Sequence, residues 1–236
     1  TEAAKMAPYQ IENTKKESSQ LEMLRSLELS LDDFKLVKKE CNSLGIDFLC
    51  SAFDIESLDT VLSLDVPFFK IPSGEITNIP YIRKMGAYGL PVLMSTGMSN
   101  LNEVKIAFNE LLNSGLESKN IILLHCNTSY PTSLKDVNLL SMLSLGNEFN
   151  VQIGFSDHTE GVDASIAAVA LGALVIEKHF TFDRKAPGPD HKASLDLPMF
   201  KNLVSSIRNV EKCMGRSEIE PTSEEKENRV YARKSI

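Results

Sequence analysis

Short apolar runs alternate with longer amphipathic ones through most of this chain, regularly enough to predict its elements. Residues 48–53, 68–72, 91–96, 121–126, 151–155 and 174–180 read as strands. Each is followed by a stretch whose apolar positions recur at helical spacing: 55–64, 80–88, 101–113, 137–145, 162–171 and 198–214. Several of the strands are apolar at every position rather than at alternate ones, as parallel strands covered on both faces are. Ahead of them, residues 1–30 are polar, with a short helical piece at 20–27. Ser30 then caps a helix running to Asn42, with Asp32 and Asp33 favouring its N-terminus. Asn100 is the expected N-cap of the 101–113 helix, and Gly115 follows its end.

Six consecutive strand and helix units fit either an open doubly wound sheet or a closed barrel. No glycine-rich dinucleotide turn follows any strand, while polar residues gather just past nearly every strand end. That distribution favours an α/β fold of the (β/α)8 TIM-barrel type. Two strands of such a barrel then precede this chain. Residues 1–215 form the barrel domain, partial at its N-terminus. Residues 216–236, with Pro221 and the run Glu224-Glu225-Lys226-Glu227, read as a solvated linker.

The 236 residues are 42% hydrophobic and 24% charged, enough for one full core. A net charge of −7 with scattered lysines and arginines argues against a nucleic-acid partner. The longest apolar run, 166–176, is too short to span a bilayer and reads as a buried helix leading into a strand. Cys41, Cys50, Cys126 and Cys213 show no C-x-x-C spacing. They read as reduced core residues of a cytoplasmic protein, and the first residues do not resemble a signal peptide.

His158 and His179 end two consecutive strands, one strand plus one helix apart, so parallel pairing brings both imidazoles to the same end of the sheet. Two neutral imidazoles can ligate a divalent transition ion and leave coordination positions open for substrate. Structural zinc would want four ligands, so a substrate-accessible ion such as Mn²⁺ or Fe²⁺ fits better. In Lys70-Ile71-Pro72-Ser73-Gly74-Glu75, Lys70 lies on a strand and Glu75 in the loop past it. Lys70 can form a Schiff base, bind phosphate or lie solvated; Glu75 is a candidate acid/base or a plain loop carboxylate. Ser95-Thr96-Gly97 and Asn127-Thr128-Ser129-Tyr130 offer neutral donors for an anion, or ordinary turn and cap chemistry. His125 reads as a core histidine, His191 faces substrate or solvent, and Asp157 is placed to orient His158 or to cap the next helix.

Taken together these loops resemble a known family. The stretches Lys70 through Glu75, Ser95-Thr96-Gly97-Met98, His125 through Pro131, Gly154 through His158, and Glu177 through His191 are similar, in order and spacing, to bacterial sialic acid synthases. This N-acetylneuraminate synthase family includes legionaminic and pseudaminic acid synthases. The resemblance implies a TIM barrel that condenses phosphoenolpyruvate with an N-acyl hexosamine such as N-acetylmannosamine, releasing phosphate. It implies His158 and His179 as ligands of a divalent metal, usually Mn²⁺, and Glu75 as the catalytic acid/base. Lys70, Ser73, Ser95 and Ser156 match positions around phosphoenolpyruvate, and Tyr130 and Asp190 match positions facing the sugar. Thr128, with Asn127 beside it, stands where some members carry a phosphate-binding asparagine. Family members also carry a small C-terminal antifreeze-like domain that reaches into a partner's active site, so a domain-swapped homodimer is implied for the full-length protein.

Other readings compete with this one. A metal-dependent aldolase on the same barrel would use pyruvate, and a sugar-binding barrel without chemistry would need none of Glu75, His158 and His179.

Overall fold

Phe69–Ile71 (β1), Val92–Ser95 (β2), Ile121–Cys126 (β3), Gln152–Asp157 (β4) and Val175–Lys178 (β5) pair in that order, all in parallel. The computed structural model describes residues 5–15 and 19–234. Every sequential pair of strands is adjacent, so the strand order never reverses among the described residues. An open doubly wound sheet requires such a reversal, and its topological switch point is missing here. The sheet instead curls as a half-barrel.

Among the described residues ten α-helices accompany it: Pro8–Thr14 (α1), Gln20–Arg25 (α2), Leu31–Leu44 (α3), Ile55–Ser63 (α4), Ile79–Ala87 (α5), Leu101–Asn113 (α6), Leu140–Phe149 (α7), Asp163–Ala170 (α8), Leu197–Met214 (α9) and Ser223–Ala232 (α10). Ser30 and Asn100 cap α3 and α6 as expected, each inside a capping box closed by Asp33 and Glu103. No helix among the described residues is long and apolar enough to cross a membrane.

Side chains alternate across each strand, and the register sorts them into two faces. Phe69, Ile71, Val92, Met94, Ile121 and Leu123 lie on the outer face, in one core with Leu58, Tyr81, Ile82, Val104 and Phe108 of the helices. Ile153 and Phe155 continue that face into a second core with Met142, Ala164 and Ala168. The opposite face carries Lys70, Ser95, Cys126, Ser156 and Glu177, one polar group from every strand. Helices therefore stabilise the outside, and the inside is left for chemistry.

Three expectations need correction. Residues 48–53 are not a strand: Phe48 and Ala52 are buried and the Tyr81 hydroxyl donates to the Ala52 carbonyl at 2.8 Å, but no ladder joins this segment to β1. Apolar side chains secure burial without specifying backbone pairing. The helix expected over 137–145 runs instead from Leu140 to Phe149, because Asn138 adopts a left-handed backbone (φ 49°) after a 3₁₀ turn at Leu134–Asp136. All four cysteines are free as expected, yet Cys213 is exposed and Cys41 and Cys50 are half-buried; Cys126 alone is fully inside. Within 216–236, the described residues carry α10, which buries no side chain.

Asp157 and Lys178 end β4 and β5 on the outer face and form an ion pair at 3.0 Å, with both side chains 1% exposed or less. Asp157 also accepts from the Thr159 amide at 2.8 Å and from Ser165 Oγ of α8 at 2.5 Å, and Lys178 donates to the Thr159 carbonyl at 2.6 Å. Burial pushes the Lys178 ammonium below its ordinary value, against the pull of Asp157. Replacing Lys178 by Met strands a buried carboxylate, and the expected loss is about 3–5 kcal/mol in urea unfolding. Asp157→Leu combined with Lys178→Met should cost less than the sum of the two single changes; strict additivity would show that the pair is not coupled.

His125 lies on the outer face, stacked on Phe155 at 5.8 Å, with Nε2 donating to the Val137 carbonyl at 2.7 Å. It is a core histidine, as the sequence suggests. Burial lowers its pKa, and the Val137 contact opposes that only in part. The unfolded chain therefore takes up a proton below pH about 6.5 that the folded chain refuses, so stability falls as pH drops through that point. Thermal melts from pH 7.5 to 5.5 should show this decline, and His125→Gln, which keeps a donor for Val137, should make it shallower. An unchanged slope would remove His125 from the account.

Candidate active site

Because Asp157 and Lys178 face outward, the next residues, His158 and His179, turn to the inner face at the C-terminal end of the sheet. Their rings stand edge to face with centroids 5.3 Å apart. Tyr130, from the loop after β3, packs 4.1 Å from His158 and 5.6 Å from His179. His158 Nδ1 points at the Asn127 carbonyl, which can only accept, so Nδ1 carries the hydrogen and Nε2 keeps its lone pair. Burial pushes the His158 imidazole down to about 4, which leaves it neutral at pH 7.

Below the histidines, Lys70 Nζ lies 3.1 Å from Glu177, and Ser156 Oγ donates to the same carboxylate at 2.6 Å. Burial acts to raise Glu177, but Lys70 and Ser156 outweigh it and hold the carboxyl below its ordinary value. Lys70 is thus buried and paired rather than solvated. Glu177 was not anticipated from sequence, although its spacing of two from His179 on one strand puts both on the same face.

The loops after β1, β2 and β3 meet at Gly97. Its amide donates to Ser73 Oγ at 3.0 Å, and Ser73 Oγ lies 3.1 Å from Cys126 Sγ. A Cβ at Gly97 would come within 2.8 Å of both atoms and 3.0 Å of Thr128 Cγ2, so only glycine lets these loops close together. Asn127 turns its amide away, to the Asp136 carbonyl at 3.0 Å, which leaves Thr128 as the side chain beside this cradle. The Ser95 hydroxyl is buried on the inner face without a hydrogen-bond partner among the described residues. Such an orphan is expected where a ligand atom completes the set. Glu75 sits in the same 3₁₀ turn as Ser73, half-buried, with Oε2 accepting from Asn78 at 2.7 Å.

On the far side of Tyr130, Asp190 approaches His179 at 3.8 Å. Its Oδ1 is buried with no partner among the described residues, and burial raises its carboxyl against the opposing pull of His179 and His191. His191 Nδ1 meets Thr181 Oγ1 at 2.7 Å. Tyr9 of α1 stacks on Tyr130 at 5.2 Å. This contact joins residues far apart in the chain, and no local pattern announces it.

Three clusters therefore converge: Lys70, Ser156 and Glu177; Ser73, Gly97 and Thr128 with Ser95; and His158, His179, Tyr130 and Asp190. The donor set suits a divalent transition ion, since His158 is neutral with Nε2 available and His179 stands beside it. No group of three or more His, Cys, Asp or Glu side chains is gathered for a metal among the described residues. Two imidazoles are fewer than the four protein ligands that close a structural zinc site.

Comparison with known proteins shows the family. The family model described as NeuB matches residues 1–219. The N,N'-diacetyllegionaminic acid synthase of Campylobacter jejuni is 47% identical over 236 residues, 99% of this chain and 70% of that protein. The enzyme of the same name from Legionella pneumophila is 46% identical, over 98% of this chain and 65% of its own length. Among solved structures, the sialic acid synthetase of Leptospira borgpetersenii superposes with a TM-score of 0.83 at 31% identity, covering 89% of this chain and 73% of that one. The chain belongs to the NeuB family, the family of sialic acid synthases.

Proposed function

We propose that this chain is the barrel portion of a synthase that joins phosphoenolpyruvate to an N-acyl hexosamine, forming a nonulosonic acid and phosphate. The observation that carries the reading is the convergence, in a NeuB-family chain, of the Lys70–Glu177–Ser156 cluster and the His158–His179 pair on one sheet end. The curled half-barrel is, on this reading, a sector of a closed (β/α)8 barrel, whose active sites lie at the C-terminal ends of the strands. The two synthases 46–47% identical to it carry N,N'-diacetyllegionaminic acid in their names, which favours a sugar with two acetamido groups over N-acetylmannosamine.

Lys70, Ser73, Ser95, Thr128 and Ser156 hold the phosphate and carboxylate of phosphoenolpyruvate, and the orphaned Ser95 hydroxyl gains its missing partner there. Tyr130 and Asp190 orient the open-chain sugar. A divalent ion, Mn²⁺ on this reading, held by His158 and His179, would polarise the aldehyde. The CH₂ carbon of phosphoenolpyruvate attacks the aldehyde carbon, whose oxygen becomes a hydroxyl. Water then adds at the adjacent carbon and phosphate departs by C–O cleavage. Glu75 moves the protons, and Asn78 fixes its carboxylate for that task. The working form is a domain-swapped homodimer in the cytoplasm.

Phosphate release by the full-length protein, with Mn²⁺ or chelator, tests the reaction. Glu75→Gln should lower turnover about 10²- to 10⁴-fold while leaving metal binding intact. His158→Ala and His179→Ala should each weaken Mn²⁺ binding, read directly by calorimetry. Pyruvate serving in place of phosphoenolpyruvate would favour the aldolase reading instead.

A further inference from the structure

The helix α1 lies outside the succession of strands and helices, yet it touches two loops of the site. Tyr9 stacks on Tyr130, in the loop after β3, at 5.2 Å with an interplanar angle of 26°. Four residues on, and so on the same side of the helix, Asn13 Nδ2 donates at 2.6 Å to the carbonyl of Pro189, in the loop after β5. Glu12 and Lys192 add an exposed ion pair at 3.7 Å, which contributes little in water. Gln10 is buried and accepts from the Ala7 amide at 2.8 Å, and Thr14 Oγ1 donates back to the Gln10 carbonyl at 2.7 Å. A helix of only seven residues is thereby closed at both ends.

Both anchors fall next to the side chains assigned above to the sugar. The Tyr130 ring is packed by Tyr9 as well as by His158 at 4.1 Å and His179 at 5.6 Å, so it has little room to swing. Pro189 precedes Asp190, which approaches His179 at 3.8 Å. Burial, and after it the charge of Asp190, raise the Tyr9 phenol, which places that carboxyl near the same ring. Loops hold their side chains loosely, because no ladder or helical period fixes them. Here one helix fixes a ring and a carbonyl on two loops at once. The phosphate half of the site is held differently, by direct contact among Ser73, Gly97 and Cys126.

We infer that Tyr9 is a positioning residue: with Tyr9 and Asn13 as its two anchors, α1 clasps the loops after β3 and β5 and so fixes Tyr130 and Asp190 for the sugar. The role toward the sugar rests on the synthase reading above, while the clasp is a property of the resting chain. With the clasp open, sugar binding must bear the cost of ordering both loops, in ground state and transition state alike.

Kinetics on the full-length protein with Mn²⁺ test that consequence, using N-acetylmannosamine or 2,4-diacetamido-2,4,6-trideoxy-mannose, whichever the wild type turns over. Tyr9→Leu should raise KM for the sugar roughly three- to tenfold, the scale of one lost aromatic pair, with kcat and the KM for phosphoenolpyruvate unchanged. Tyr9→Phe keeps the ring and should retain the wild-type KM. Asn13→Ala releases the second anchor and should act in the same direction, which decides the matter if Tyr9→Leu does not fold. Amide hydrogen exchange of the resting protein tests the clasp without turnover: in either anchor variant residues 127–133 and 187–192 should exchange faster, and β1 through β5 should not. Unchanged exchange in both loops, an unchanged KM for the sugar, or a KM for phosphoenolpyruvate that rises with it overturns the inference. A wild type inert with both sugars overturns the synthase reading, and the exchange measurement then decides on the clasp alone.

Discussion

The site depends first on the buried ion pair between Asp157 and Lys178. A carboxylate and an ammonium removed from water are costly unless each is fully satisfied, and here Thr159 and Ser165 complete the set. The pair fixes the relative height of the last residues of β4 and β5. Once those side chains face outward, strand alternation leaves His158 and His179 no choice but the inner face. A slip of one residue in the β4–β5 register would bury a histidine among the helices and put a lysine in the site. The ion pair is thus a register device whose product is a pair of imidazoles 5.3 Å apart.

The same separation of faces governs the rest of the sheet. Parallel strands in sequential order send every crossover helix to the outside, so the outer face is closed by Phe69, Met94, Leu123 and Phe155 against helices. Polar groups on the inner face can then be held by one another instead of by water. Lys70, Glu177 and Ser156 come from β1, β5 and β4: the Ser156 bond joins neighbouring strands, and the Lys70–Glu177 pair ties β1 to β5, which are not neighbours in the ladder. Gly97 does the corresponding work at the rim, where the absence of a side chain lets three loops meet.

What could be read from sequence followed from how local the cause was. Helix periods and caps are local, so α3, α6 and α9 were placed within a residue or two from Ser30, Asn100 and the apolar spacing. Strand alternation is local as well, and it put the two histidines at one end of the sheet. Residues 48–53 misled because apolar content reports burial and not hydrogen bonding. Asn138 broke the expected helix through a backbone conformation that asparagine tolerates without advertising it. Glu177 was legible in principle, as an inward carboxylate two residues before His179, but its partner Lys70 lies 107 residues away. The stack of Tyr9 on Tyr130 exists only once the fold has closed, and no pattern along the chain encodes it.

The electrostatics of the inner face also bear on how an anionic substrate is held. Lys70 is already engaged by Glu177, so the two charges largely cancel at close range, and His158 is neutral. Glu75 and Asp190 add carboxyl groups to the rim, partly offset at Asp190 by its burial. A phosphate and a carboxylate entering together cannot rely on Lys70 alone. On the proposed reading, the neutral hydroxyls of Ser73, Ser95 and Thr128 can orient such a ligand, but they do not balance its charge. On the proposed reading, a divalent cation held by His158 and His179 would supply that balance. On that reading, anion binding and carbonyl activation both rest on the outward turn of Asp157 and Lys178 at two strand ends.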